Sequence, residues 1–167
     1  MAEALEVRIR PARDADLPAL EWEGEYRRYR RLYQLAMKEA HQGRRILFVA
    51  EVSGKIVGQI FVQFSFTRPE FDVGIPTGYL QSFRIKTEFR NRGIGTNLIN
   101  RAEDSLRNRG VRRAVVAVAK DNPNARRLYD RLGYIVLAED PGQWSYIDDS
   151  GQLQHVFEPA YLMQKQL

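Results

Sequence analysis

The sequence contains no cysteine. Disulfides, thiolate metal sites and a cysteine nucleophile are therefore excluded. Histidine is almost as scarce. His41 and His155 lie far apart in the chain and cannot build a histidine metal site alone, so no metal is expected. No apolar run is long enough to span a bilayer. The first residues, MAEALEVRIRPARDADL, lack the basic start and apolar block of a signal peptide, so the expected location is cytoplasmic. Repeats, low-complexity tracts and Pro/Gly/Ser-rich linkers are also missing, and residues 1–167 read as a single domain. Two common phosphate motifs are absent as well. There is neither an early G-x-G-x-x-G with a following acid nor a G-x-x-x-x-G-K-[ST].

What is present suits one folded core: 44% of residues are apolar and 28% charged. Net charge is +5, and the excess is mostly arginine. That balance fits nucleic acid, a membrane surface or a phosphate-bearing small molecule. The arginines are scattered, however. Arg27-Arg28, Arg30-Arg31, Arg112-Arg113 and Arg126-Arg127 read as solvated element ends, so neither nucleic acid nor membrane is the expected partner.

Pattern and punctuation predict strands over Val7–Arg10, Ile46–Glu51, Ile56–Phe66, Tyr79–Lys86, Ala114–Ala119, Tyr134–Leu137 and Ala160–Lys165, with a hairpin inside Trp144–Phe157. Helices are predicted over Asp14–Leu20, Glu25–Gln42, Gly93–Asn108 and the segment after Asn122; Thr67–Pro76 reads as a loop. The expected class is α/β (α+β) with a mixed sheet.

One stretch stands out. In FRNRGIGTNL, Phe89–Leu98, arginines and glycines lead from a strand into an amphipathic helix. A helix start offers unpaired N–H groups and partial positive charge. Glycines let a phosphate approach the backbone, and Arg90 and Arg92 can fork onto its oxygens. The pattern is R-x-x-G-x-G, Arg90 to Gly95. A second motif, NPNARRLYDRLGY, follows one helix and one strand later, at Asn122–Tyr134. Asn122 suits an N-cap and Pro123 the first helical turn.

The strand GYLQSFRI, the arginine–glycine turn and NPNARRLYDRLGY, in that order, closely resemble the GCN5-related N-acetyltransferase (GNAT) family. The resemblance covers the family's central half strongly and extends weakly from VRIRPARDADL to AYLMQKQL. It implies a central, mostly antiparallel twisted sheet of about seven strands, flanked by helices and splayed in a V between two parallel strands. It implies an acyl-CoA-dependent acyltransferase that moves acetyl from acetyl-CoA to a primary amine on a small molecule, peptide N-terminus or lysine. The coenzyme diphosphate would lie on the turn formed by Arg90, Asn91, Arg92, Gly93, Ile94, Gly95 and Thr96. The pantetheine arm would add to the strand at Phe83, Arg84 and Ile85 and touch Asn122 and Ala125. Tyr129 would be the general acid, at the coenzyme sulfur. The alternative role for Tyr129 is a core tyrosine, and for Asn122 simple capping.

Family members often carry a glutamate base on the strand before the glycine turn. Here the matching position is Gln81, which cannot take a proton, and Ser82 beside it is a poor base. Glu21, Glu23, Glu25, Asp72, His155 and Glu158 remain as candidates. Trp22 and Tyr26, with Trp144 and Tyr146, are the expected acceptor wall. With the nearby glutamates they suggest an acidic, aromatic surface for a cationic amine; the other reading of these residues is core aromatics and solvated acids. A homodimer is the family's default assembly. The competing reading is a regulatory module that binds acetyl-CoA without turnover, and transfer of another acyl group is a third.

Overall fold

β-Branched and aromatic runs form the strands, and a change of apolar period from two to three or four marks the helices. The computed structural model describes residues 5–71 and 74–167. The strands are β1 (Val7–Pro11), β2 (Arg45–Val52), β3 (Lys55–Gln63), β4 (Thr77–Ile85), β5 (Arg113–Ala119), β6 (Ile135–Asp140), β7 (Gln143–Ile147), β8 (Leu153–Phe157) and β9 (Ala160–Gln166). The α-helices are α1 (Arg30–His41), α2 (Ile94–Asn108) and α3 (Pro123–Arg131), with 3-10 turns at Asp14–Glu21, Arg27–Tyr29 and Thr87–Phe89.

Seven strands form one sheet in the order β1-β2-β3-β4-β5-β9-β6, while β7 and β8 make a separate ribbon. Every pairing in the large sheet is antiparallel except β4 with β5. The expected sheet of about seven strands is therefore present, and the late hairpin stands outside it.

Two elements differ from expectation for local reasons. The first helix is a 3-10 segment with Pro18 inside it, which has no N–H to continue an α ladder. The predicted Glu25–Gln42 helix becomes α-helical only at Arg30. Trp22, Glu23 and Gly24 ahead of it all take positive φ, at 47°, 55° and 101°, which turns the chain before the helix can start. The expected Thr67–Pro76 loop contains residues 72 and 73, so the candidate base Asp72 lies outside the described residues.

The sheet buries both faces. Leu98, Ile99, Ala102 and Leu106 of α2 are wholly buried against Phe48, Ala50, Ile60, Val62 and Leu80 on one face. Each such leucine or isoleucine contributes about 1.5–3 kcal/mol. On the opposite face Tyr33, Ala36 and Met37 of α1 pack with Leu20 onto Leu47, Val49 and Phe61. Tyr129 of α3 belongs to the α2 face. No helix among the described residues is long and apolar enough to cross a membrane.

Candidate active site

The parallel pair β4–β5 starts as a ladder and then opens. Thr77, Gly78, Tyr79 and Leu80 pair with Arg113, Ala114, Val115 and Val116, and the pairing goes no further. β4 continues to Ile85 and β5 to Ala119. On its other edge β4 stays bound to β3, with Gln81 opposite Phe61, Arg84 opposite Gln59 and Ile85 opposite Gly58. The edge of Gln81–Ile85 that faces β5 is therefore left without a strand. Ala117 is exposed although it lies on an interior strand. Here is the V-shaped splay that the family resemblance implies, with an open backbone edge that an extended ligand can complete.

Within this segment β4 carries one extra residue, a bulge between the Gln81 and Arg84 pairings. Ser82 takes φ +54° there. The bulge resets the alternation of side chains. Leu80, Phe83 and Ile85 face the α2 side. Gln81 and Arg84 face the α1 side, where Gln81 donates to Gln63 (3.1 Å) and Arg84 to the Tyr33 hydroxyl. Gln59, fully buried, donates to the Ser82 carbonyl at 3.2 Å and holds the bulge from beneath.

The arginine–glycine turn sits where the opened strand ends. Gly93 is the N-cap of α2 at φ +81°, a conformation that costs other residues strain. No side chain caps this helix. The amides of Ile94, Gly95 and Thr96 thus precede the first backbone acceptor, the Gly93 carbonyl, which is taken by Asn97 N–H at 3.1 Å. At Gly95 a Cβ would meet the Phe83 ring at 3.0 Å, so glycine lets α2 approach β4 closely. Asn91 takes φ +60°. Arg90 does not project freely. Its Nε donates to the Ile85 carbonyl at 3.0 Å and braces the turn against β4. Arg92 is exposed, its guanidinium carbon 6.0 Å from the centre of the Phe89 ring.

Across the gap, Asn122 accepts from Ala125 N–H at 3.2 Å and so caps α3. Tyr129 packs its ring edge-on against Phe83 (6.1 Å) and Tyr134 (5.2 Å) and is 4% exposed. Its hydroxyl bonds no described residue, yet it is not among the side-chain oxygens sealed from solvent. Burial, with the nearby Tyr79 and Glu103, raises its pKa above the ordinary tyrosine value, so the hydroxyl stays protonated. Tyr134 is anchored in turn. Its hydroxyl donates to Glu103 at 2.8 Å, and the buried Glu103 also receives Lys165 Nζ at 3.0 and 3.1 Å.

On the α1 side an aromatic tract joins the two expected acceptor segments. Trp22 meets Tyr26 (5.3 Å), Tyr26 meets Tyr29 (6.2 Å), and Tyr29 meets both Trp144 (6.2 Å) and Tyr146 (5.0 Å). Tyr29 and Tyr33, missed in the sequence, are its hubs. The spacing Trp22, Tyr26, Tyr29, Tyr33 was the available signal.

Two of the acids beside this wall are paired with cations. Glu21 binds Arg30 through both oxygens (2.9 and 2.8 Å), and this hydrogen bonding lowers its pKa. Glu23 pairs with Lys86 at 3.3 Å. Glu25 and Glu158 are exposed, and His155 sits on the β7–β8 ribbon beside Ser145 Oγ at 2.8 Å. Gln81, tied to Gln63, is an amide in an amide ladder. Among the described residues no cluster of histidine and carboxylate groups suited to a metal ion occurs.

Known proteins share this architecture. Ard1 from Thermoplasma volcanium superposes with a TM-score of 0.72 at 21% identity, over 96% of this chain and 97% of its own. PaiA N-acetyltransferase from Thermoplasma acidophilum, in complex with coenzyme A, gives 0.69 at 16% identity over 98% and 100%. Arabidopsis thaliana Naa50, in complex with the bisubstrate analogue CoA-Ac-MVNAL, gives 0.70 at 18% identity over 96% and 99%. At these identities the likeness speaks for the fold. The family model for the acetyltransferase (GNAT) family matches residues 9–134, a span that holds the splayed pair, the uncapped helix and Tyr129. With that match, the chain belongs to the GNAT acetyltransferase family.

Proposed function

We propose that this protein transfers the acetyl group of acetyl-CoA to the nitrogen of a primary amine, by direct attack and without an acyl-enzyme. The observation that carries the reading is the unpaired edge of β4, with the uncapped start of α2 and the Tyr129 ring both packed against its Phe83. Each part suits a piece of the coenzyme. The free β4 edge at Phe83–Ile85 can take the amide-rich pantetheine arm as an added strand. The Ile94, Gly95 and Thr96 amides and the helix dipole suit the diphosphate, with Arg92 adding charge. Arg90 serves by bracing the turn. The coenzyme A complexes of the structural neighbours support the same assignment.

In the reaction, the neutral amine attacks the acetyl carbonyl carbon. A C–N bond forms, the C–S bond breaks, and the sulfur leaves with the electron pair. Tyr129, held protonated by burial, donates its proton to the departing sulfur and is restored as the acylated nitrogen loses its proton. An N–H of the open strand would polarise the carbonyl. The amine must arrive unprotonated, since an alkylammonium has no lone pair. Gln81 cannot take that proton.

The test is thiol release from acetyl-CoA, followed with a chromogenic disulfide across polyamines, amino acids, aminoglycosides, aromatic amines and short peptides. The chain has no cysteine to add background. Amine-dependent release is expected. Acetyl-CoA binding without release from any acceptor would favour the regulatory-module reading, and a longer acyl-CoA outpacing acetyl-CoA would change the donor.

A further inference from the structure

The acceptor side of the opening carries a fixed cation. Arg84 lies one residue past Phe83 on the open half of β4, on the α1 face. Its guanidinium carbon is 3.4 Å from the centre of the Tyr26 ring, 5.3 Å from Trp22 and 5.7 Å from Tyr33. Nη2 donates to the Tyr33 hydroxyl. Three rings and a hydrogen bond thus fix the plane of the fork. Arg28 reinforces the charge, 5.4 Å from the Tyr26 ring and 4.5 Å from Tyr29.

No described carboxylate lies within 4.0 Å of Arg84. The acids beside Trp22 are engaged elsewhere, Glu21 with Arg30 and Glu23 with Lys86. Arg84 Nε is sealed from solvent with no hydrogen-bond partner, so the cation is only partly compensated. Nη1 bonds no described group and is not sealed. A half-buried guanidinium, held rigid and lacking a counter-ion, is a receptor for an anion. It also repels a polycationic acceptor at this distance from the chemistry.

We propose that the acceptor is an amine that also carries a carboxylate, a free amino acid, whose carboxylate pairs with Arg84 while its amine is directed at the opened β4–β5 gap. This rests on the transfer reading above. The aromatic tract Trp22–Tyr26–Tyr29 gives the side chain of such an acceptor an apolar surface.

The experiment compares amino acids with their decarboxylated amines, phenylalanine with phenethylamine and tyrosine with tyramine, by thiol release. The carboxylate-bearing member of each pair is expected to show kcat/KM about 10- to 100-fold higher, the worth of one charge-assisted contact. Arg84→Gln is expected to bring that ratio close to one. Arg84→Lys, which keeps charge but loses the fork, lowers it by a smaller factor and carries the test should Arg84→Gln fail to fold. A ratio near one or reversed in the native protein overturns the proposal, as does a ratio that the Arg84 variants leave unchanged. Should no amine release thiol, the transfer reading fails instead. The inference is then read by calorimetry on the CoA-loaded protein: Arg84-dependent binding of phenylalanine over phenethylamine supports it, and equal or no binding of the two refutes it.

Discussion

Replacing Tyr129 by phenylalanine removes one oxygen from the point where coenzyme and acceptor are proposed to meet. The structure separates its effects on folding and on chemistry. The ring stays packed against Phe83 and Tyr134, and the hydroxyl gives up no hydrogen bond to any described residue. Stability should therefore change by less than about 1 kcal/mol. General-acid help to a leaving group is worth about 10²-fold or more in rate, or about 2.7 kcal/mol in the barrier. The expectation is a kcat lowered about 100-fold, with the acetyl-CoA dissociation constant within about twofold of the parent and an unaltered melting curve. Thiol release gives the rate, and titration with acetyl-CoA gives the affinity. The pH profile adds a sign. Burial raises the Tyr129 pKa, so the acid form persists above the usual tyrosine range. Tyr129 should produce no fall in kcat as pH rises towards 10. A variant that turns over like the parent would remove Tyr129 from the mechanism, and one that melts early would make it a core residue.

Glu103→Gln should destabilise the fold. The carboxylate is 2% exposed and serves Tyr134 and Lys165, but Lys165 is 23% exposed and can regain water. The cost is set at about 2 kcal/mol, below that of a fully enclosed pair, and should appear as a melting temperature lower by about 4–8 °C. A shift under about 1 °C would mean that the network contributes nothing. Asp148 closes the β7–β8 turn by accepting the amides of Gln152 (2.9 Å) and Ser150 (3.0 Å), which lowers its pKa, the Gln152 bond first. Its contribution is full above the ordinary value of 3.8 and is lost as pH falls through the lowered one. Amide exchange at Ser150 and Gln152 should still be slow at pH 3.8 and speed up only as pH falls through the lowered value, and Asp148→Asn should exchange faster than the parent above that value. Because Gln81 is no base and Glu21 is held by Arg30, the acid limb of kcat/KM should follow the pKa of each amine tested. A limb fixed near one pH for amines of different basicity would reveal an enzyme base.

Much of the opening was legible because its parts are local. R-x-x-G-x-G needs glycine at Gly93 for a left-handed N-cap and at Gly95 for contact with Phe83, so the requirement is written where it acts. Asn122-Pro123 announces the start of α3 in the same way. The aromatic tract was legible in its members Trp22, Tyr26, Trp144 and Tyr146, but not in the pairing of the acids beside it. Glu21 and Glu23 look available in a sequence, and only the fold brings Arg30 and Lys86 to them. The face of Arg84 was not legible at all. It depends on an extra residue in β4 at Ser82, and a serine at positive φ leaves no mark in the sequence.

That extra residue gives β4 two parities. Counting by twos from Leu80 would put Arg84 with the α2 core and Phe83 with the aromatic tract, and the native arrangement is the reverse. Drawing Ser82 into regular pairing would thus do more than lengthen the ladder. It would drive a guanidinium into the apolar packing under α2 and set a phenyl ring where Tyr26 now holds a cation. The two sides of the opening are distinguished by a single count along the chain, and the bulge at this point is as much a part of the site as any side chain.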